Sequence, residues 1–225
     1  MKTINKKETL VISLIGMSGS GKSYLSKKLA GKGFRLVCCD DFIEQDLACE
    51  LKKHGKGIRN VANWMGHPYE KRFKRNQSRY LNSEINNMRK IIDKLKMGVD
   101  ENVVIDTTGS VIYTGSLIMR SLKKHSLVIY LESPVSVFKE MLKKFMEDPK
   151  PVIWKDTFSK NKNETNEEAL RRCYQKLLRQ RVKLYKKYAD VIMRHKKRTS
   201  PDFTVEDFVL FIERARKKIV SKFPA

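Results

Sequence analysis

The feature that most constrains this chain is a glycine loop reading GMSGSGKS over residues 16–23. It fits the pattern GxxxxGK[ST], and it lies directly after the apolar run LVISLI and directly before a stretch with helical spacing. Glycines let consecutive backbone N–H groups turn towards phosphate oxygens, and the start of a helix adds a favourable partial charge. The sequence therefore predicts a phosphate-binding loop between a strand and a helix.

The residue types in this loop predict Mg-ATP as its ligand. Lys22 has the reach and charge to contact the β- and γ-phosphates, and the hydroxyl of Ser23 suits Mg²⁺. The competing interpretation is a glycine turn with a solvated lysine. The candidate nucleotide ligands are Gly16, Met17, Ser18, Gly19, Ser20, Gly21, Lys22, Ser23 and Tyr24.

The spacing of apolar runs predicts an α/β fold. Short apolar stretches alternate with helical ones, which is typical of a parallel sheet. The length of 225 residues suits one domain. The predicted strands cover residues 10–15, 34–39, 102–105, 127–131 and 191–193, a first helix covers 22–30, and a closing helix capped by Thr204 lies in residues 201–225.

The charge balance leaves several partners open. Lys and Arg number 48 against 25 Asp and Glu, a net charge of +23. Such a charge is compatible with nucleic acid, an acidic membrane surface or an anionic small substrate as partner, or simply with solvated lysines on helix faces. No apolar run reaches the ~20 residues of a membrane span, so no membrane association is expected. Four cysteines without metal-ligand spacing favour free thiols in a reducing cytoplasm.

Three acids follow predicted strands, where ligands of open α/β sheets bind. Asp40 and Asp41 lie at the end of the second strand. They could accept a proton from a substrate hydroxyl, or they could cap the helix that follows. Asp106 lies at the end of the third strand. It could contact the ligand shell of Mg²⁺, or it could simply begin the polar turn that follows. The sequence leaves these alternatives open.

Several basic residues are candidates for binding anionic groups. Phosphoryl transfer needs cations, and arginine offers a planar fork for a carboxylate or phosphate. For each of them taken alone, a solvated surface position is the stronger interpretation. The candidates are Lys150 before the polar interval 159–168, Arg181 in the helical stretch that follows, and Arg75 and Arg79 in an earlier one.

Taken in order, these motifs resemble the shikimate kinase family over residues 10–193. The family's DxDxxIE segment corresponds to CCDDFIE, which places Asp40 on its substrate-binding acid, with Asp41 as the second choice. Its pocket glycine triplet corresponds to Thr107-Thr108-Gly109. Its lid arginine-proline corresponds to Lys150-Pro151, and its Arg-x-x-x-Tyr, whose arginine binds the substrate carboxylate, corresponds to Arg181–Tyr185 in RVKLY.

The resemblance implies a three-layer P-loop fold of the nucleoside-monophosphate-kinase type, with a five-stranded parallel sheet and a mobile lid. It implies a substrate-binding insert at about residues 45–95 and a lid at about 146–170. The implied activity is transfer of the ATP γ-phosphate to shikimate or a related hydroxy acid. The implied catalytic residues are Lys22, Asp40, Asp41 and Lys150, with metal at Ser23 and Asp106, and substrate at Asp40, Thr107, Thr108, Gly109 and Arg181. A further substrate-binding arginine of the family has no firm counterpart here, and Arg75 and Arg79 are the candidates for it.

This sequence departs from the family pattern at several places, two of which bear on the substrate pocket and the metal shell. Cys38 replaces the first acid, and Thr107 and Thr108 replace two glycines. Two alternatives therefore accompany the kinase hypothesis. The first is a nucleic-acid or nucleotide kinase, favoured by the charge, and the second is an ATP-binding switch protein without catalysis.

Overall fold

The computed structural model describes residues 9–52, 55 and 57–220. The described strands are β1 (Val11–Ile15), β2 (Arg35–Cys38), β3 (Val103–Asp106), β4 (Leu127–Leu131) and β5 (Val191–Met193). The described α-helices are α1 (Lys22–Ala30), α2 (Cys39–Asp46), α3 (Ala48–Leu51), α4 (Ile58–Met65), α5 (Phe73–Lys96), α6 (Ser116–His125), α7 (Phe138–Glu147), α8 (Asn166–Tyr188), α9 (His195–Arg198) and α10 (Val205–Val220).

The five strands form one parallel sheet in the order β2-β3-β1-β4-β5. This confirms the predicted α/β class. Strand β1 lies in the middle, because β3 pairs with one of its edges and β4 with the other. The loops that follow β1, β2 and β3 therefore leave the sheet at its carboxyl edge as neighbours, as ligand-binding loops of such sheets do.

Helices cover both faces of the sheet, since parallel strands are apolar on both sides. On one face, Leu25 and Leu29 of α1 and Phe208 and Ile212 of α10 pack on Ile12 and other strand residues. The opposite face carries the larger core cluster, which includes residues of α5, α6, α7 and α8.

The observed element bounds agree closely with the sequence patterns. Helix α1, β4 and β5 have the predicted limits, whereas β2 ends at Cys38 and Cys39 already begins α2. Thr204 forms a reciprocal cap with Asp207 at the start of α10. The predicted closing segment continues to residue 225, and residues 221–225 lie outside the described part of the chain.

The region predicted as a lid contains the end of α7, a 3-10 turn at Lys155–Thr157 and the start of α8. Thr165 and Glu168 form a capping box at the start of α8. The region predicted as an insert contains the end of α2, helices α3 and α4 and most of α5, with residues 53, 54 and 56 outside the described part. The division of the chain into these functional segments stays a prediction.

No helix in the described residues is long and apolar enough to cross a bilayer.

Candidate active site

The glycine loop wraps the start of α1 in a backbone conformation that requires glycine. Gly19 and Gly21 have φ values of 76° and 87°, in the left-handed region. Gly16 has a φ of 152°, and a Cβ atom there would lie 2.8 Å from Ser20 Oγ and 2.9 Å from the backbone oxygen of Leu131. The first glycine is therefore needed both for its conformation and for the close approach of β4.

Lys22 closes this loop from inside. Its side chain is buried, and Nζ donates hydrogen bonds of 3.1 Å to the backbone oxygens of Gly16 and Met17. Burial lowers the pKa of Lys22, and the nearby carboxylates of Asp106 and Asp40 oppose that shift. Phosphate oxygens in the loop would also stabilise the charged form. The ammonium is positioned for polyanion binding.

Two cavities meet at the loop. The central cavity, of about 270 Å³, is lined by Met17, Ser18, Gly19, Gly21, Lys22, Ser23, Tyr24, Asp40, Ile58, Tyr80, Gly109, Lys150, Pro151, Val152, Tyr174, Leu178 and Arg181. The outer cavity, of about 510 Å³, shares Ser18, Gly19, Lys150 and Tyr174 with it and adds Ser20 and Arg198, among other residues. A larger and a smaller space therefore both border the loop at Ser18 and Gly19.

Ser23 and Asp106 come together beneath the loop. The hydroxyl of Ser23 lies close enough to the carboxyl of Asp106 to lower the pKa of that carboxyl. Burial raises the pKa of Asp106, while the charge of Lys22 and the hydroxyl of Ser23 lower it. A hydroxyl beside a carboxylate is the hard-oxygen donor set that suits Mg²⁺ held partly through water and phosphate. No cluster of three or more His, Cys, Asp or Glu suited to a metal occurs in the described residues.

Asp40 and Asp41 differ in surroundings because successive residues of a helix point in different directions. Asp40 lines the central cavity, where burial raises the pKa of its carboxyl and the charge of Lys22 opposes the shift. Asp41 is exposed and is not among the residues that line this cavity. Of the two, Asp40 is the acid placed to meet a ligand beside Lys22.

Lys150 lines both cavities and is held by an acid at the end of α7. Its Nζ lies 2.7 Å from a carboxylate oxygen of Asp148, which also pairs with Arg59 of α4 at 2.8 Å. These contacts connect the predicted lid with the predicted insert. This half-buried cation borders both cavities and is placed to contact an anion bound in either of them.

Arg181 projects from α8 to the wall of the central cavity. Its Nη1 donates to Gly109 O at 3.2 Å and Nη2 to Ile153 O at 2.9 Å, and its guanidinium stacks on Tyr113. Nε is buried and has no hydrogen-bond partner among the described residues. The guanidinium is therefore fixed in place with donor capacity left over for a ligand.

The other residues predicted to bind substrate lie in different places. Gly109 lines the central cavity. Thr107 donates its hydroxyl to Leu14 O at 2.7 Å and Thr108 donates to Glu84, so both hydroxyls are engaged in the core. Arg75 and Arg79 are exposed on α5, and Arg79 forms an ion pair with Glu50. The structure does not bring these two arginines to the cavity.

Sequence reasoning missed Tyr80 and Arg198, which line the central and the outer cavity, and the buried Glu84 next to Tyr80 on α5. Tyr80 and Glu84 lie one turn apart on the buried face of α5, and Arg198 of α9 places Nη1 3.3 Å from where a Cβ of Gly21 would stand. The i, i+4 spacing of Tyr80 and Glu84 beside apolar positions was the available signal, since a glutamate on an apolar face is unusual. For Arg198, the sequence held no feature other than its positive charge that would have indicated a position beside the glycine loop.

A sequence model of the shikimate kinase family matches residues 18–221. The chain belongs to the shikimate kinase family. Family membership makes the protein an ATP-dependent kinase, a transferase that phosphorylates a hydroxyl of a small anionic metabolite, shikimate or a related hydroxy acid. Membership of this family does not favour the two alternative hypotheses, a nucleic-acid or nucleotide kinase and an ATP-binding switch protein without catalysis. Kinases of this family use ATP with Mg²⁺.

Solved shikimate kinases share the fold. The enzyme from Acinetobacter baumannii in complex with shikimate is 20% identical, with a TM-score of 0.55, over 97% of each chain. The Aquifex aeolicus enzyme is 19% identical, with a TM-score of 0.53, over 96% of this chain and 100% of its own. The Bacteroides thetaiotaomicron enzyme is 16% identical, with a TM-score of 0.51, over 96% and 99%. None of the curated protein sequences matches the chain.

Proposed function

We propose that this protein transfers the γ-phosphate of ATP to a hydroxyl of shikimate, with the acceptor held in the central cavity between Asp40 and Arg181. The observation that carries the proposal is that one cavity is lined by the loop lysine, an acid and an arginine with free donor capacity. These are the three chemistries that such a transfer requires: phosphate binding, acceptance of the hydroxyl proton and fixation of an anionic acceptor.

On the donor side, the loop amides and Lys22 hold the phosphates. The outer cavity continues from Ser18 and Gly19 and has room for the rest of the nucleotide. The buried Ser20 Oγ has no hydrogen-bond partner among the described residues, which supports a ligand at the loop. Mg²⁺ bound at Ser23 and Asp106 would neutralise phosphate charge. Lys150, when released from Asp148, contacts the transferring group.

On the acceptor side, Asp40 orients the hydroxyl and takes its proton as the new O–P bond forms. Arg181 holds the acceptor carboxylate through the remaining hydrogens of Nη1 and Nη2. The apolar residues Ile58, Val152 and Leu178 line the same cavity and exclude water from the reacting groups.

The experiment compares Asp40→Asn with Asp41→Asn, two neighbouring acids of which only the first lines the cavity. ADP release from Mg-ATP with shikimate is measured at pH 7.5. Asp40→Asn should lower kcat by about 100-fold or more, the usual contribution of a general base. Asp41→Asn should keep the wild-type kcat. Equal losses in both variants would contradict the assignment of Asp40.

A further inference from the structure

The outer side of α8 carries a row of cations without acidic partners. Its exposed lysines and arginines recur at intervals of three or four residues, and residues at this spacing share one side of a helix. None of them forms an ion pair with an acid in the described part of the chain. This stripe, which we call the basic face of α8, consists of Lys176, Arg179, Lys183, Lys186 and Lys187.

The two halves of α8 differ in how their charge is compensated. Near its start, two arginines pair with glutamates at 2.6 Å, whereas residues 173–188 contain no Asp or Glu. Cations one turn apart repel each other, so this arrangement costs helix stability. The helix dipole favours cations only in the last turn, which accounts for Lys186 and Lys187 but not for the other three. A negatively charged partner outside the chain would compensate the remaining charge.

The end of α6 lies against the end of α8 and adds further cations. Lys123 of α6 donates to the backbone oxygen of Ala189, directly after α8, at 3.1 Å and pairs with Asp190 at 3.0 Å. These contacts hold the ends of the two helices together. Arg120 and Lys124, which flank Lys123 on α6, are exposed and form no ion pair in the described residues. Five unpaired cations on α8 and two on α6 therefore lie on neighbouring helices.

The other side chains of these two helices select among anionic partners. A helix that binds a membrane surface needs exposed apolar side chains, but α8 exposes no large one and α6 exposes Leu117 alone. A single nucleic-acid strand needs exposed aromatic rings on which its bases stack, but the tyrosines of α8, Tyr174, Tyr185 and Tyr188, are buried. A nucleic-acid duplex needs neither, because its bases are already stacked and its backbone presents phosphates to a cationic surface.

We propose that the basic face of α8, together with the end of α6, binds the phosphate backbone of double-stranded DNA without sequence specificity. At a rise of about 1.5 Å per residue, Lys176 to Lys187 span about 17 Å. One strand of B-form DNA carries a phosphate every ~3.4 Å along its axis, so this length faces about five phosphates. Duplex RNA is recognised through 2′-hydroxyls as well as phosphates, and Gln180 is the one neutral polar side chain on this face of α8.

DNA bound on this face would leave the central cavity open. Arg181, which lines that cavity, lies on the opposite, buried side of α8. The DNA is a docking partner and not the phosphate acceptor. DNA binding and phosphoryl transfer are therefore separate properties of the protein, and each can be tested without the other.

The test measures the fluorescence anisotropy of a fluorescein-labelled DNA duplex of about 20 base pairs at about 50 to 200 mM KCl. The wild type should bind with a Kd of about 1–100 µM at physiological salt, the usual range for contacts to the backbone alone. Each phosphate contact releases counterions, so log Kd should rise with log salt concentration with a slope of about 6 for seven contacts. Failure to bind at physiological salt would overturn the proposal.

Two double variants locate the contact. Arg179→Gln/Lys183→Gln removes an arginine and a lysine from the middle of the basic face, and should lower the slope by about 2 and raise Kd by about 10-fold or more. Arg214→Gln/Lys217→Gln is the matched control, because it removes the same two residue types, exposed and one turn apart, from α10 on the opposite face of the sheet. The control should bind as the wild type does, and so should Arg179→Lys/Lys183→Arg, which keeps both charges.

Equal losses of affinity in the two glutamine variants would overturn the assignment to α8, since net charge alone would then explain the binding. Duplex RNA, single-stranded DNA and vesicles of anionic phospholipid are measured in the same way, and binding of any of them as tight as that of duplex DNA would overturn the choice of partner. Shikimate-dependent ADP release should be the same in the wild type and both glutamine variants. Lack of that turnover in the wild type contradicts the proposed function and leaves DNA binding unaffected.

Discussion

Replacing Arg181 by lysine tests the binding of the acceptor, because it keeps the charge and removes the planar fork. Two of the five guanidinium N–H groups donate to the backbone oxygens of Gly109 and Ile153 at 3.2 and 2.9 Å. Three N–H groups remain, including the one on the unpartnered Nε. A carboxylate can therefore accept two parallel hydrogen bonds from Arg181, whereas the ammonium of a lysine lacks the planar fork that holds both oxygens at once.

Losing one charge-assisted hydrogen bond costs about 1.5–3 kcal/mol, so KM for shikimate should rise by about 10- to 150-fold in Arg181→Lys. KM for ATP should stay unchanged. Arg179→Lys is the matched control, since Arg179 lies on the same helix and is exposed. Initial rates of ADP release, with either substrate varied, give both constants. An unchanged KM for shikimate, or a rise confined to ATP, would refute the assignment of Arg181 to the acceptor.

The remaining predictions concern stability. Gly16→Ala should lower the free energy of unfolding by about 1–3 kcal/mol more than Gly19→Ala does. The reason is that a Cβ at Gly16 meets the backbone oxygen of Leu131, whereas nothing lies within 4 Å of a Cβ at Gly19. Equal losses of stability in urea unfolding would contradict this and show that only the backbone φ angle matters. Glu84 binds its proton more tightly in the folded state, with its pKa raised from 4.5 to about 7. Stability should therefore fall as pH rises through this range, by about 3 kcal/mol, and Glu84→Gln should remove that part of the slope in urea unfolding at pH 4.5 and 7.5.

Much of the fold follows from local patterns. The loop motif has a fixed spacing because it must bring backbone amides and a lysine around phosphates, so both its position and the start of α1 were predictable. Strands β4 and β5 are apolar runs with clear limits. At Cys39, local propensity allowed a strand to continue, but α2 begins there and leads into Asp40.

The site was predictable where a motif exists and unpredictable where packing decides. The sequence does not say which of Asp40 and Asp41 faces the cavity, since this depends on how α2 lies against α5. The hydroxyls of Thr107 and Thr108 point to Leu14 O and Glu84 because of the path that the chain takes after β3. Glu84 is one of 25 acids in the sequence, and only the packed structure shows that it is buried.

The most direct test of the account is ADP release from Mg-ATP at physiological salt, with and without shikimate, in the wild type and in Lys22→Ala. Lys22 supplies the buried ammonium of the loop, so its removal should abolish turnover while circular dichroism shows a folded protein. The account predicts shikimate-dependent ADP release in the wild type and none in the variant. ATP binding without any stimulation by shikimate, or full activity of Lys22→Ala, would contradict it.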